Sequence, residues 1–149
     1  MTRLLEILGD VPGQEFESGT LLIEEGKPLD QLYVLREGEV EITRGGVEIC
    51  KISTSGSTFG EMSALLDTEP SASVKVSQPS NLLVIENPKA FLSESNGAAL
   101  EIAKLLAYRV NWITLNFAQA KEAPTAAEIA AAMHDDSFAK RIFSLERRL

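Results

Sequence analysis

The sequence predicts a mainly β domain with flanking helices, and three observations carry that expectation. Between residues 16 and 85, short apolar segments are punctuated by glycine at 19, 26, 38, 45, 46, 56 and 60. Within this region Val40 and Ile42 alternate with Glu39, Glu41 and Thr43, a period of two that buries one strand face and wets the other. After Asn87-Pro88 the apolar period becomes that of a helix. Strands recurring at this spacing, joined by glycine turns, make a small barrel or jelly roll.

Taken in order, residues 2–8 form a short helix with Thr2 as N-cap and Leu4, Leu5 and Leu8 on one face, ended by Gly9 and Asp10. Strands are expected at 21–24, 32–36, 39–43, 47–52, 71–77 and 82–85, with Gly45-Gly46 as a hairpin turn. Residues 88–92 form a short helix, and Asn96 opens a long one that runs to about residue 121. On that helix Ile102, Leu105, Leu106, Arg109, Ile113, Asn116 and Phe117 share one face, while Tyr108, Trp112, Leu115 and Gln119 share another. Glu101 and Lys104 pair at i, i+3. A helix apolar over most of its circumference needs cover on two sides. The barrel supplies one, and either a second copy of the chain or the folded-back C-terminal segment supplies the other. Ala123-Pro124 breaks the helix, and Thr125 to Glu128 is a capping-box pattern opening another that reaches about His134. A last helix carries Phe138, Ile142, Leu145 and Leu149 as a stripe and ends on Glu146-Arg147-Arg148, whose cations complement its dipole. The chain thus divides into a domain at 1–121 and a helical extension at 122–149.

Composition sets limits on function. At 149 residues, 44% apolar and 24% charged, the chain is long enough for one genuine core. A net charge of −8 repels nucleic acid and anionic membranes, and no apolar run approaches the roughly 18 residues of a membrane span. The N-terminal apolar stretch is too short for a secretion signal. Cys50 is the single cysteine, which excludes an internal disulfide and suits a reducing cytoplasm. His134 is the single histidine, so no Cys/His metal set exists, and G-x-S-x-G, Walker and Rossmann sequences are absent. The expectation is a cytoplasmic, metal-free protein that is not an enzyme.

The chain is organised around residues 56–76, GSTFGEMSALLDTEPSASVKV. A glycine turn leads into a short apolar helix, then an acidic proline-containing corner, then an alternating strand. Strand, tight turn, short helix and strand present unpaired backbone N–H groups at the helix start, an arrangement that cradles phosphate. Gly60 permits backbone angles closed to other residues, and Glu61 beside it is placed to accept from a sugar hydroxyl.

Phe59-Gly60-Glu61-Met62-Ser63-Ala64-Leu65, followed by Ser71-Ala72-Ser73-Val74, resembles the phosphate-binding cassette of cyclic nucleotide-binding domains. That family includes the bacterial catabolite activator, kinase regulatory subunits and cyclic-nucleotide-gated channels. Gly26, Tyr33 and Gly38 resemble the entrance of the family's β-roll, and the likeness extends over about residues 10 to 118. The resemblance implies that Glu61 holds the ribose 2′-hydroxyl, that backbone amides and the Ser71 hydroxyl surround the phosphate, and that the long helix covers the base. It also implies a site made of Phe59, Gly60, Glu61, Met62, Ser63, Pro70, Ser71, Ala72 and Ser73, with Ile113, Thr114 and Phe117 as the lid. In this family the long helix often forms the dimer seam. The departure is at Pro70, which stands where the family has an arginine on the phosphate. Between Gly56 and Val74 there is no Lys or Arg. Strand alternation from Ser71 and Ser73 suggests that Lys75 reaches inward as a partial substitute.

The reading is a stand-alone regulatory sensor for cAMP or another cyclic nucleotide, with weakened or altered binding, that acts on an unidentified protein partner. The rival is a ligand-free protein–protein interaction or dimerisation scaffold of the same fold, its surface formed by the Trp112 face of the long helix and the last two helices. About 26 residues after that helix are too few for a winged helix-turn-helix.

Overall fold

The computed structural model describes residues 2–119, with the side chains of Trp112, Ile113 and residues 116–119 outside the description. The expected helices at 125–134 and 137–149, the Ala123-Pro124 break and His134 lie beyond the described residues.

Thr2 opens α1 (Arg3–Ile7) as N-cap, its Oγ1 accepting from the Leu5 N–H, and Leu4 and Leu5 are buried. The strands β1 (Gly13–Phe16), β2 (Leu21–Ile23), β3 (Gln31–Arg44), β4 (Val47–Ile52), β5 (Thr58–Phe59) and β6 (Ser73–Glu86) follow. Three helices accompany them: α2 (Glu61–Leu66) between β5 and β6, then α3 (Pro88–Glu94) and α4 (Asn96–Gln119). Every strand pair is antiparallel, in the order β1-β6-β3-β4, with β2 on β6 and β5 on β3. The result is a β-roll with flanking helices.

The two long strands form its spine. β6 pairs with β2 near its start and with β1 further on, while β3 pairs with β5 near its start and with β4 beyond. Each was expected as two separate strands, the gaps falling at Gly38 in β3 and around Pro79 in β6. Instead the β3–β6 ladder runs through them with register shifts between Leu35 and Val40. Bulges of this kind bend a strand without ending its pairing. The bend is stitched by Ser80, whose hydroxyl accepts from the Glu39 N–H at 2.9 Å and donates to the Gln78 carbonyl at 2.6 Å. Gly45 and Gly46, both at positive φ, close the expected β3–β4 hairpin.

Alternation then sorts side chains into two cores. Tyr33, Leu35, Val40, Ile42, Cys50, Ile52, Phe59, Val74, Val76 and Leu82 fill the inside of the roll. Leu32, Val34, Leu83 and Ile85 point the other way, onto Leu4, Leu5 and Leu8 of α1, Leu92 of α3, and Ala98 and Ile102 of α4. The first half of β3 is therefore apolar on both faces and the second half on one, which explains why only Val40 and Ile42 gave a clean alternation.

The bend depends on a missing side chain. Gly38 has φ +111°, and a Cβ built there would lie 2.1 Å from Ser80 Oγ and 2.6 Å from Ser80 Cα. Gly46, at φ +77°, has nothing within 4 Å. Gly46→Ala is expected to lose about 1–2 kcal/mol from backbone strain alone. Gly38→Ala should lose clearly more in urea unfolding, because crowding by backbone adds to the strain. Equal losses would mean that the bend yields cheaply at Ser80.

Candidate functional site

The expected cassette begins at β5, whose Phe59 pairs with Tyr33 of β3 and fills the inner core. Tyr33 donates its hydroxyl to Gln31 Oε1 at 2.7 Å, and Gln31 Nε2 donates to Glu86 Oε1 at 2.9 Å. Burial, with the Glu86 carboxylate adding to it, holds the Tyr33 phenol above its ordinary range. Gly60 then turns the chain at φ +89°. A Cβ there would meet Leu29 Cδ2 at 2.7 Å and the Gln31 carbonyl oxygen at 2.9 Å, so both the angle and the close approach require glycine.

The helix that follows is inside out. Bounded by left-handed residues Gly60 and Asp67, α2 buries Glu61, Ser63 and Ala64. Met62, Leu65 and Leu66, at i, i+3 and i+4, are exposed. Placing leucines outside and a carboxylate at 3% exposure inside opposes the ordinary partition of side chains. Burial of this kind requires a partner for the charge.

That partner is Arg109 of α4, itself 6% exposed, whose Nη1 donates to Glu61 Oε1 in a buried ion pair. Among the described residues the other carboxylate oxygen, Oε2, is buried without a hydrogen-bond partner. The pair joins residues 48 apart in sequence and ties the cassette to the long helix. Among the described residues Arg109 is also the one cation on a helix face where Ile102 and Leu106 pack on the outer core and Leu105 is buried. An arginine among inward leucines was the signal for a distant carboxylate, but sequence gave no means of choosing Glu61 over others.

The remaining expected residues divide. Pro70 is buried, and its carbonyl accepts from the Gly26 N–H at 2.9 Å, anchoring the acidic corner to the β2–β3 loop. Ser71 is exposed and Ala72 packs beside the inner core. Ser73 Oγ is committed to the Glu25 N–H at 2.9 Å. Met62 presents its side chain to solvent, away from Glu61. Lys89 of α3 pairs with Asp67 at the cassette's corner.

The inward placement of Lys75 is corrected. Val74 and Val76 are the pair pointing into the roll, so alternation turns Lys75 outward, where its Nζ lies 3.8 Å from Glu41 Oε2. Of the expected lid, Thr114 is exposed and donates its hydroxyl to the Val110 carbonyl at 2.9 Å. The side chains of Ile113 and Phe117 lie outside the described residues. Elsewhere a hollow of about 480 Å³ is lined by Glu15, Glu37, Glu39, Ser53, Gln78 and Asn81 and shares no residue with the cassette. Its three carboxylates would oppose an anion.

The buried pair has a measurable signature. Removing one member of such a pair strands the other and costs about 3–5 kcal/mol, whereas replacing both is often far milder. Arg109→Leu is therefore expected to unfold at distinctly lower urea than wild type. The double variant E61Q/R109L should recover a large part of the loss. A double variant no better than the sum of the two singles would remove the coupling between α2 and α4.

Comparison with known proteins supports the fold. Residues 13–93, more than half of the chain, match the family model for the cyclic nucleotide-binding domain. The cGMP-dependent protein kinase egl-4 of Caenorhabditis elegans is 29% identical over 84 residues, covering 56% of this chain and 11% of the kinase. The cAMP-dependent protein kinase regulatory subunit of Pyricularia oryzae is 37% identical over 62 residues, 41% of this chain and 16% of that protein. The chain thus spans only a small fraction of these curated relatives. Among solved structures, the Thermus thermophilus catabolite activator protein superimposes with a TM-score of 0.66 at 25% identity, over 78% of this chain and 62% of its own. A structure described as Sp-2Cl-cAMPS bound to PKAR CBD2 shares the fold, with a TM-score of 0.57 at 17% identity over 80% of this chain and 89% of that one. By the match over residues 13–93, on the fold and the Glu61 cassette described above, this chain belongs to the cyclic nucleotide-binding domain family.

Proposed function

We propose that this chain is a non-enzymatic regulatory module that senses a cyclic nucleotide through the segment from Phe59 to Ser73. Residues 1–121 form the sensing domain and 122–149 an extension that relays its state to a protein partner. One observation carries this reading: a fully buried carboxylate, Glu61, with one oxygen paired to Arg109 and one without a partner among the described residues. A buried acceptor of this kind is expensive to leave unmet, and a ribose hydroxyl is a donor of the right kind.

The same pair supplies a means of sensing. Arg109 brings from α4 the positive charge that residues 56–74 lack. A nucleotide entering at Gly60 and Glu61 meets the α4 guanidinium, so occupancy and helix placement become one equilibrium. Ligand shifts that equilibrium by no more than its differential affinity for the two placements. A lid role for Ile113, Thr114 and Phe117 belongs to this proposal. A reducing compartment such as the cytoplasm suits Cys50, which is buried in β4.

Pro70 sets the strength of binding. A charge-assisted hydrogen bond contributes about 1.5–3 kcal/mol, and about 1.4 kcal/mol is tenfold in affinity. Calorimetric titration with cAMP and cGMP is expected to give heat with wild type and none with Glu61→Gln. Pro70→Arg should tighten binding by about one to two decades. No heat from either nucleotide with wild type or with Pro70→Arg would reject the sensor.

A second reading, a scaffold that dimerises through α4, is favoured by Leu100, Tyr108, Val110 and Leu115, which are large, apolar and exposed on that helix. Sedimentation separates the two readings: a stable dimer that ignores both nucleotides supports the scaffold.

A further inference from the structure

The outward face of α2 is an anomaly that nucleotide binding leaves unexplained. Met62, Leu65 and Leu66 are 55%, 36% and 64% exposed on one side of a six-residue helix. Burying such side chains is favourable, so a contiguous trio in water marks a contact surface. Its surroundings are acidic. Glu69 follows α2 and is exposed, Glu94 is exposed on α3, which packs beside α2, and Asp67 is held by Lys89.

The sequence holds a segment of the opposite character. Residues 137–149, SFAKRIFSLERRL, place Phe138, Ile142, Leu145 and Leu149 at helical spacing. The same segment carries Lys140, Arg141, Arg147 and Arg148 against the single carboxylate Glu146, in a chain whose net charge is −8. We propose that this basic amphipathic segment seats on the Met62–Leu65–Leu66 face of α2, apolar stripe to apolar trio and cations to the acidic rim.

The length of the intervening chain makes the contact reachable. Arg109 fixes α4 beside the start of α2, and Gln119 is ten residues further on, about 15 Å along a helix. The 18 residues from 120 to 137 span about 27 Å even if fully helical, enough to return that ~15 Å and cross the roughly 10 Å width of α2. A second copy of the same face is disfavoured, because twofold contact sets the acidic rim against itself. Anionic membrane is disfavoured on the same ground. The contact would give the C-terminal segment a seat on the helix that also carries Glu61.

The test uses the full chain in a Cys50→Ala background. In the L66C/I142C variant, oxidised glutathione is expected to close an intramolecular disulfide at least tenfold faster than in V47C/I142C, which offers an equally exposed position on the β3–β4 hairpin. Lys140→Glu with Arg141→Glu should slow the closure roughly three- to tenfold, as two exposed charge pairs allow. Adding Glu69→Lys and Glu94→Lys should restore it. Hydrogen exchange gives a second readout without cysteines: Ile142→Ser should raise exchange several-fold in residues 60–72. Equal closure rates in the two cysteine pairs, or exchange unchanged by Ile142→Ser, overturn the proposal. So does disulfide formation between chains, or protection of α2 that grows with protein concentration, either of which assigns the face to a second copy.

Discussion

A charge pair taken out of water, Glu61 with Arg109, is the constraint from which the rest of the site follows. It forces α2 to turn its carboxylate inward, and so leaves Met62, Leu65 and Leu66 outside. It also fixes the face of α4 that packs on the roll. Desolvating two charges in this way rarely adds net stability compared with apolar replacements. Its persistence here is better understood as specificity: it sets the rotation and height of one helix against another.

The roll supplies the rigidity this pairing requires. Two bent strands, β3 and β6, each belong to both halves of the sheet, so the inner and outer cores share a backbone. Gly60 rests against the Gln31 carbonyl at the start of β3, and α4 reaches the same sheet through Ala98 and Ile102. Glu61 and Arg109 therefore approach from two elements anchored on one platform. A disturbance at either is felt by the other, which is the elementary requirement for a sensor. The same wiring extends the influence of α2 to whatever occupies its outer face.

Much of this was legible in the sequence where the physics is local. The N-cap at Thr2, the Gly45-Gly46 turn, the Val40/Ile42 alternation and the helical period after Pro88 depend on neighbours within a few residues. The Phe59–Leu65 motif and its glycine located the turn into the short helix α2 for the same reason. Continuity of β3 through Gly38 and of β6 through Pro79 was not legible, because glycine and proline read as breaks unless the opposing strand is known. β1 and β5 pair over only four and two residues, too short for any period to declare itself. Lys75 was assigned the correct partners in alternation and the wrong side, since alternation alone does not say which face is the inside. Arg109 was visible as a cation on an apolar face, and its partner was not, because the pair depends on how α4 lies across α2.

The central claim is that Glu61 is shared between α4 and a nucleotide. It is tested most directly by following the Arg109 side-chain Nε–H signal and the backbone amides of residues 60–63 by nuclear magnetic resonance while cAMP is added. The account predicts that all of them shift together and saturate at the same nucleotide concentration. Movement of the amides with an unchanged Arg109 signal would contradict it, and so would the absence of any shift.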